Sequence, residues 1–166
     1  MALPRLPQMS SLLRQLQRVL LLALLGLLLA GGRAAARCSE PAAHGPLHVA
    51  SPDWREQVIY FALTDRFDDG DASNNDQGSG EYDPTDPARY SGGDLCGLRR
   101  RLDYIAGLGA TALWITPPVA QQWWDGSHRY GGYHGYWAED FRRVDAHLGT
   151  LRDYRELARA LHGRGM

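Results

Sequence analysis

Two short apolar runs without alternation constrain this chain more than any other feature: Val58-Ile59-Tyr60-Phe61-Ala62-Leu63 and Ala110-Thr111-Ala112-Leu113-Trp114-Ile115-Thr116. A strand that is apolar at every position has two faces to cover, as parallel strands joined by helical crossovers do. Each run leads into a long loop, and each loop into a helical stripe. After Gly92-Gly93, Asp94 is a natural N-cap for Leu95, Leu98, Leu102, Ile105 and Leu108, and Gly107 and Gly109 stop that helix. After the second loop Thr150 opens another helix, with Asp153 placed three residues on as a near capping box. Leu151, Tyr154, Leu157, Ala158 and Leu161 form its apolar stripe, and Gly163 and Gly165 end it. The order strand, loop, helix, strand, loop, helix predicts an α/β fold with a parallel sheet, its sites on the loops after the strands. The chain stops at Met166, where a third strand is due, and two such units cannot close a barrel. It reads as the front of something longer.

Both loops are unusual. Residues 65–90 are acidic and rich in Gly, Asn and Pro, and they pack Asp68-Asp69-Gly70-Asp71-Ala72-Ser73-Asn74-Asn75-Asp76 into nine positions. So many carboxylate and amide oxygens suit a hard cation such as Ca²⁺, which takes six to eight oxygen ligands. The spacing is not that of an EF-hand, since Asn74 and Gly80 stand where that motif needs Gly and Glu. Read from the residues alone, a solvated acidic turn and a calcium site both stand. The second loop, 119–149, reads as irregular and carries Trp123, Trp124 and Trp137 with Tyr130, Tyr133 and Tyr136. Its Tyr133-His134-Gly135-Tyr136-Trp137 run offers aromatic faces and polar donors, which suit a sugar ring and its rim of hydroxyls. The plainer reading is packing of a long loop. For Trp123 and Trp124, an exposed platform and a loop core are both open.

The N-terminus is an address. Arg5, Arg14 and Arg18 precede the twelve-residue apolar run Val19 to Ala30, and Ala34-Ala35-Ala36 comes after it. A charged start, a short apolar stretch and a small-residue exit make a secretory signal peptide over 1–36, too short in its apolar part for the roughly 20 residues of a spanning helix. Residues 37–53 come next as an irregular segment, and 54–166 hold the folded part. Export places the protein outside the cytoplasm: secreted, periplasmic or at the cell surface, with no stable membrane association once the signal is cut. It also permits disulfides, and Cys38 and Cys96 could pair with each other or with partners elsewhere. All 18 basic residues are arginine, and beyond the leader 14 face 19 acids, a balance of −5. A mildly acidic chain without a basic stripe is no nucleic-acid binder. No protein partner can be inferred.

Taken together, six stretches in order over 55–166 resemble the alpha-amylase family of glycoside hydrolases (family 13). They are Val58 through Phe67, the Asn74-Asn75 loop, Ser91-Gly92-Gly93-Asp94, Gly109 through Pro117, Tyr133-His134-Gly135-Tyr136-Trp137, and Leu148-Gly149-Thr150 with the helix after it. The resemblance implies the first two βα units of a TIM (β/α)8 barrel, truncated before the third strand. It implies a structural Ca²⁺ like that of cyclodextrin glucanotransferases and related amylases. Side chains of Asp69, Asp71, Asn74, Asn75 and Asp94 and the carbonyl of Gly92 would hold the ion and tie the loop to the first helix. Tyr136 matches the family's platform beneath the sugar at subsite −1, and His134 the residue that bonds that sugar's hydroxymethyl. The implied substrate is an alpha-glucan such as starch or a maltooligosaccharide, cleaved with retention or transferred as in a glucanotransferase. The family's catalytic carboxylates sit on later strands, as does its D-x-x-x-N-H signature. No catalytic residue is therefore expected here: Asp65, Glu139 and Asp140 match structural positions at best, and the 166-residue chain alone is expected to be inactive. A complete chain of this length would be a non-catalytic remnant that binds calcium or sugar.

Overall fold

A computed structural model describes Cys38 and residues 40–166. The signal peptide expected over 1–36 lies outside the described residues, and no described helix is long and apolar enough to cross a membrane.

The first apolar run forms β1 (Ile59–Ala62) and the second forms β2 (Ala112–Ile115), paired in parallel with Ile59 opposite Ala112 and Phe61 opposite Trp114. The crossover between them holds α1 (Leu95–Arg100) and α2 (Leu102–Gly107). One continuous helix is the expectation for this stretch, but Arg101 leaves helical geometry (φ −101°, ψ 10°). The apolar spacing survives the hitch, because the Arg101 N–H still reaches the Gly97 carbonyl (3.2 Å) and the Arg101 carbonyl still accepts from Ile105 (3.1 Å). Leu95, Leu98, Leu102 and Ile105 are fully buried. They pack with Ala62, Ala110, Leu148, Leu157 and Ala160 into one core, each large side chain contributing about 1.5–3 kcal/mol by burial.

The expectation that both strands are buried on both faces needs correction. Tyr60, Ala62, Leu113 and Ile115 face the core, whereas Ile59, Phe61 and Trp114 remain half exposed on the opposite face. Two strands carry helices on one side only, so the second apolar face has no cover within this sheet. The edge-to-face contact of Phe61 with Trp114 (5.2 Å) partly shields it.

The segment 119–149 also differs from an irregular loop. It contains β3 (Val119–Gln121), β4 (Trp124–Asp125), β5 (Tyr130–Gly131) and β6 (Ala138–Val144), which pair antiparallel as β3 with β6 and β4 with β5. These strands are two to seven residues long and the β3–β6 register shifts twice, so no period of two emerges in the sequence. The final helix, α3 (Leu151–His162), opens on a complete capping box: the Thr150 side chain accepts from Asp153 N–H while the Asp153 carboxylate accepts from Thr150 N–H. Of its expected stripe Leu157 is buried, while Leu151 and Tyr154 stay exposed. Cys38 and Cys96 are bonded to each other, which resolves the open pairing and pins the irregular segment to α1.

Candidate functional site: the two long loops

The first loop is anchored by two buried carboxylates. Asp65 accepts from the Ser91 N–H at 3.0 Å and the Gly92 N–H at 3.2 Å, and lies 3.3 Å from Arg66. Burial pushes its carboxyl up, an effect that the Ser91 N–H and Arg66 only partly offset. Asp94 caps α1 through Gly97 N–H (2.6 Å) and also accepts from Gly70 N–H (3.2 Å), Asp71 N–H (2.8 Å) and the Asn74 amide (3.1 Å). Its carboxyl is likewise raised by burial, against the pull of those four donors. The loop therefore sits directly on the helix backbone. A side chain at Gly97 would collide with the Asp68 carbonyl, and one at Gly70 with Cys96 and Gly97.

The six expected cation ligands fall into two groups within this loop. Asp69 accepts from the Asn75 amide (2.6 Å), and the Asn75 amide lies against Gly92, whose φ of +96° and lack of Cβ permit the contact. Asn74 reaches Asp94, while Asp71 is turned toward Ser73, accepting from its N–H (3.1 Å) and hydroxyl (2.6 Å). Among the described residues no three His, Cys, Asp or Glu side chains gather as a metal cluster, so an ion here depends on amide and carbonyl oxygens. The Asn74 and Asn75 side-chain oxygens are buried and without a hydrogen-bond partner among the described residues, a costly state for an acceptor. A half-turn of each amide would aim these oxygens at Asp94 and Asp69, an oxygen-to-oxygen convergence that a bound cation would stabilise. The donor set fits Ca²⁺ on that ground.

The second loop presents an aromatic shelf. Tyr136 is 63% exposed and nearly parallel to His134 (14°, centroids 5.9 Å). His134 Nδ1 accepts from the Tyr136 N–H (3.0 Å), and desolvation pushes its pKa down. The ring is therefore neutral near pH 7 with its one proton on Nε2, free in kind to donate to a hydroxyl. Gly135 makes the turn possible: it adopts φ +82°, and a Cβ there would strike the Pro117 carbonyl. Beneath the shelf the Arg66 guanidinium lies 3.8 Å from the Tyr133 ring centre, and the Tyr133 and Tyr130 hydroxyls bond at 2.5 Å. Trp123 resolves as loop core, donating its indole N–H to Asp145 (3.0 Å). Trp124 lies half-buried under Arg89, 4.4 Å from the ring centre.

Sequence reasoning passed over one constellation. His147 is buried, with Nδ1 2.9 Å from Asp145 and Nε2 3.0 Å from Glu81, and its ring stacks on Tyr90 at 3.8 Å. The signal present in the sequence is Asp145-x-His147 ahead of a helix cap, a pattern that says nothing until Glu81, 66 residues away, is brought to it.

The family model described as alpha amylase, catalytic domain, matches residues 61–166. A cyclomaltodextrin glucanotransferase from Klebsiella oxytoca is 46% identical over 111 residues, covering 66% of this chain and 17% of that protein. The chain belongs to the alpha-amylase family. A periplasmic alpha-amylase from Escherichia coli K12 is 41% identical over 122 residues, 69% of this chain and 18% of its own length. The solved alpha-amylase of Anoxybacillus superposes with a TM-score of 0.60 at 43% identity, over 70% of this chain and 23% of that one. The alpha-amylase of Geobacillus thermoleovorans, complexed with acarbose, gives 0.57 at 40% identity, over 70% and 22%. This alpha-amylase-family chain thus spans less than a fifth of the curated relatives named here. Its α/β architecture is a partial piece of the barrel that the family's catalytic domain forms.

Proposed function

We propose that this chain is the N-terminal part of the catalytic barrel of an exported enzyme acting on alpha-1,4-glucans, starch or maltooligosaccharides, with retention. The observation that carries the reading is the His134–Tyr136 pair: an exposed aromatic face beside a neutral imidazole whose remaining N–H is a donor. A pyranose stacks its C–H face on such a ring and gives a hydroxyl to such a donor, so the pair orients the sugar without moving a proton of the reaction. Retaining cleavage needs a nucleophilic carboxylate and a general acid about 5–5.5 Å apart. Four carboxylates near the two loops are otherwise engaged: Asp65 holds Ser91 and Gly92, Asp145 and Glu81 hold His147, and Asp140 pairs with Arg142 and Arg143. On this reading the reacting carboxylates are supplied by later strands of the barrel.

Within the same reading Ca²⁺ is structural, held by Asp69, Asp71, Asn74, Asn75, the Gly92 carbonyl and Asp94. It would supply positive charge to a loop whose buried carboxylates otherwise depend on N–H donors. Export is supported by the 1–36 leader and by the Cys38–Cys96 disulfide, which belongs to an oxidising compartment. A glucanotransferase-type transfer to a sugar acceptor is the second reading, favoured by the 46% identity to such an enzyme. Calorimetric titration of the protein with maltotriose tests the pair: Tyr136→Ala is expected to weaken binding at least tenfold, about 1.4 kcal/mol. Equal affinity in the variant would remove the basis of the reading.

A further inference from the structure

His147 is 1% exposed and has a carboxylate at each ring nitrogen. Both acids are acceptors already. Asp145 also takes the N–H groups of Gln121 (2.9 Å) and His147 (3.0 Å) and the Trp123 indole (3.0 Å). Glu81 also takes those of Gln77 (2.5 Å) and Ser79 (2.7 Å). Burial pushes the Glu81 carboxyl up, but the Gln77, Glu81 and Ser79 N–H groups and His147 outweigh it and hold it below the usual range. Each ring nitrogen thus faces a carboxylate that other donors already surround, so both nitrogens have an acceptor to donate to. Asp65, paired with Arg66, adds a further carboxylate within electrostatic reach. The Tyr90 ring lies on the imidazole face and meets Tyr133 edge-on at 6.3 Å; Tyr133 in turn meets His134 edge-on at 5.6 Å.

We propose that His147 is a positioning residue for the sugar shelf: a buried cation that bolts the first loop to the second through Glu81 and Asp145. Through the ring of Tyr90 it also fixes where Tyr133, and hence His134 and Tyr136, stand. The inference rests on the reading of His134 and Tyr136 as the sugar-facing pair, but the clamp itself has its own readout. Glu81 belongs to the segment just after the Asn74-Asn75 turn, so the same cation links the candidate ion loop to the candidate sugar loop. A buried ion pair of this kind is costly to break from one side, because the remaining charge is left uncompensated.

Solution NMR of the full chain with ring-¹⁵N histidine and 3-fluorotyrosine tests both steps. At pH 7 both His147 nitrogens are expected to carry protons; a bare nitrogen would overturn the clamp. His147→Gln is expected to shift the ¹⁹F signals of Tyr133 and Tyr136 and to weaken maltotriose at least threefold. If that variant does not fold, Tyr90→Leu leaves the carboxylates intact and is expected to do the same. Tyr90→Phe keeps the ring and is expected to leave Tyr133 and Tyr136 in place, as is Leu157→Ala, which loosens the core cluster without touching the His147 or Tyr90 ring contacts. Unmoved Tyr133 and Tyr136 signals in both His147→Gln and Tyr90→Leu would refute the transmission. A protein that binds no maltotriose refutes the sugar reading instead, and the nitrogen and fluorine signals still decide the clamp.

Discussion

Asp94 accepts four hydrogen bonds from two segments of chain, and that arrangement changes what a mutation there reports. Asp94→Ala removes a helix cap, worth about 1 kcal/mol, and strands buried donors at about 1–3 kcal/mol. The loss is expected with or without calcium, read as a lower urea midpoint in chelator and in Ca²⁺ alike. Asp69 caps no helix and its carboxylate accepts from the Asn75 amide alone among the described side chains, so Asp69→Ala is the cleaner probe of the ion. It is expected to abolish the rise in melting temperature that Ca²⁺ gives the unmutated protein, and a retained rise would exclude the site. Glu81 carries the pH dependence at this scale. A carboxyl held below its ordinary value stabilises the fold above that value, 4.5, and the contribution is lost as pH falls through the lowered value. Asp65 and Asp94, raised by burial, act in the opposite sense: their contributions are present at low pH and lost as pH rises. Glu81→Gln is therefore expected to be less stable than the unmutated protein at pH 6, with the difference shrinking as pH falls below 4.5. A difference constant over that range would contradict the assignment. The Tyr90 hydroxyl, buried without a partner among the described residues, makes Tyr90→Phe neutral or slightly stabilising in the same melts.

Elements were legible where one strong period or one cap decided them. The apolar runs became β1 and β2 because every position is apolar, and Thr150 with Asp153 opened α3 because the cap is local. The short strands β3 to β6 were not legible, since their pairing depends on residues up to 25 positions apart and on two register shifts. The same reason hid His147: its partners come from three segments, and only the fold joins them. The Asp/Asn loop was legible as a donor set, yet the carboxylate that anchors it most firmly does so with N–H groups that no side-chain pattern displays. At this scale the disulfide is the largest single staple. It closes 58 residues, for which the chain-entropy relation gives about 4 kcal/mol. Cys38→Ser with Cys96→Ser is expected to lower the unfolding free energy by about 2–5 kcal/mol in denaturant titration; an unchanged midpoint would mean the irregular segment adds nothing to the core.

The molecule as a whole leaves Ile59, Phe61 and Trp114 in a row on the uncovered face of its two-stranded sheet, and Phe141 is 80% exposed. Large apolar side chains gathered on one face mark a surface that another part of a structure covers. In a (β/α)8 barrel the inward face of every strand packs against the others in layers, and Phe61 and Trp114 stand on the face opposite the helices. Two strands give that face two of its eight contributors. The sequence beyond Met166 is therefore decisive, and reading the coding region past that codon is the most direct test. A third apolar strand carrying D-x-x-x-N-H is predicted there, then further βα units that hold the carboxylates of a retaining enzyme. A stop codon at that position would contradict the account, leaving the proposed sugar shelf and ion loop without the carboxylates that cut a glycosidic bond.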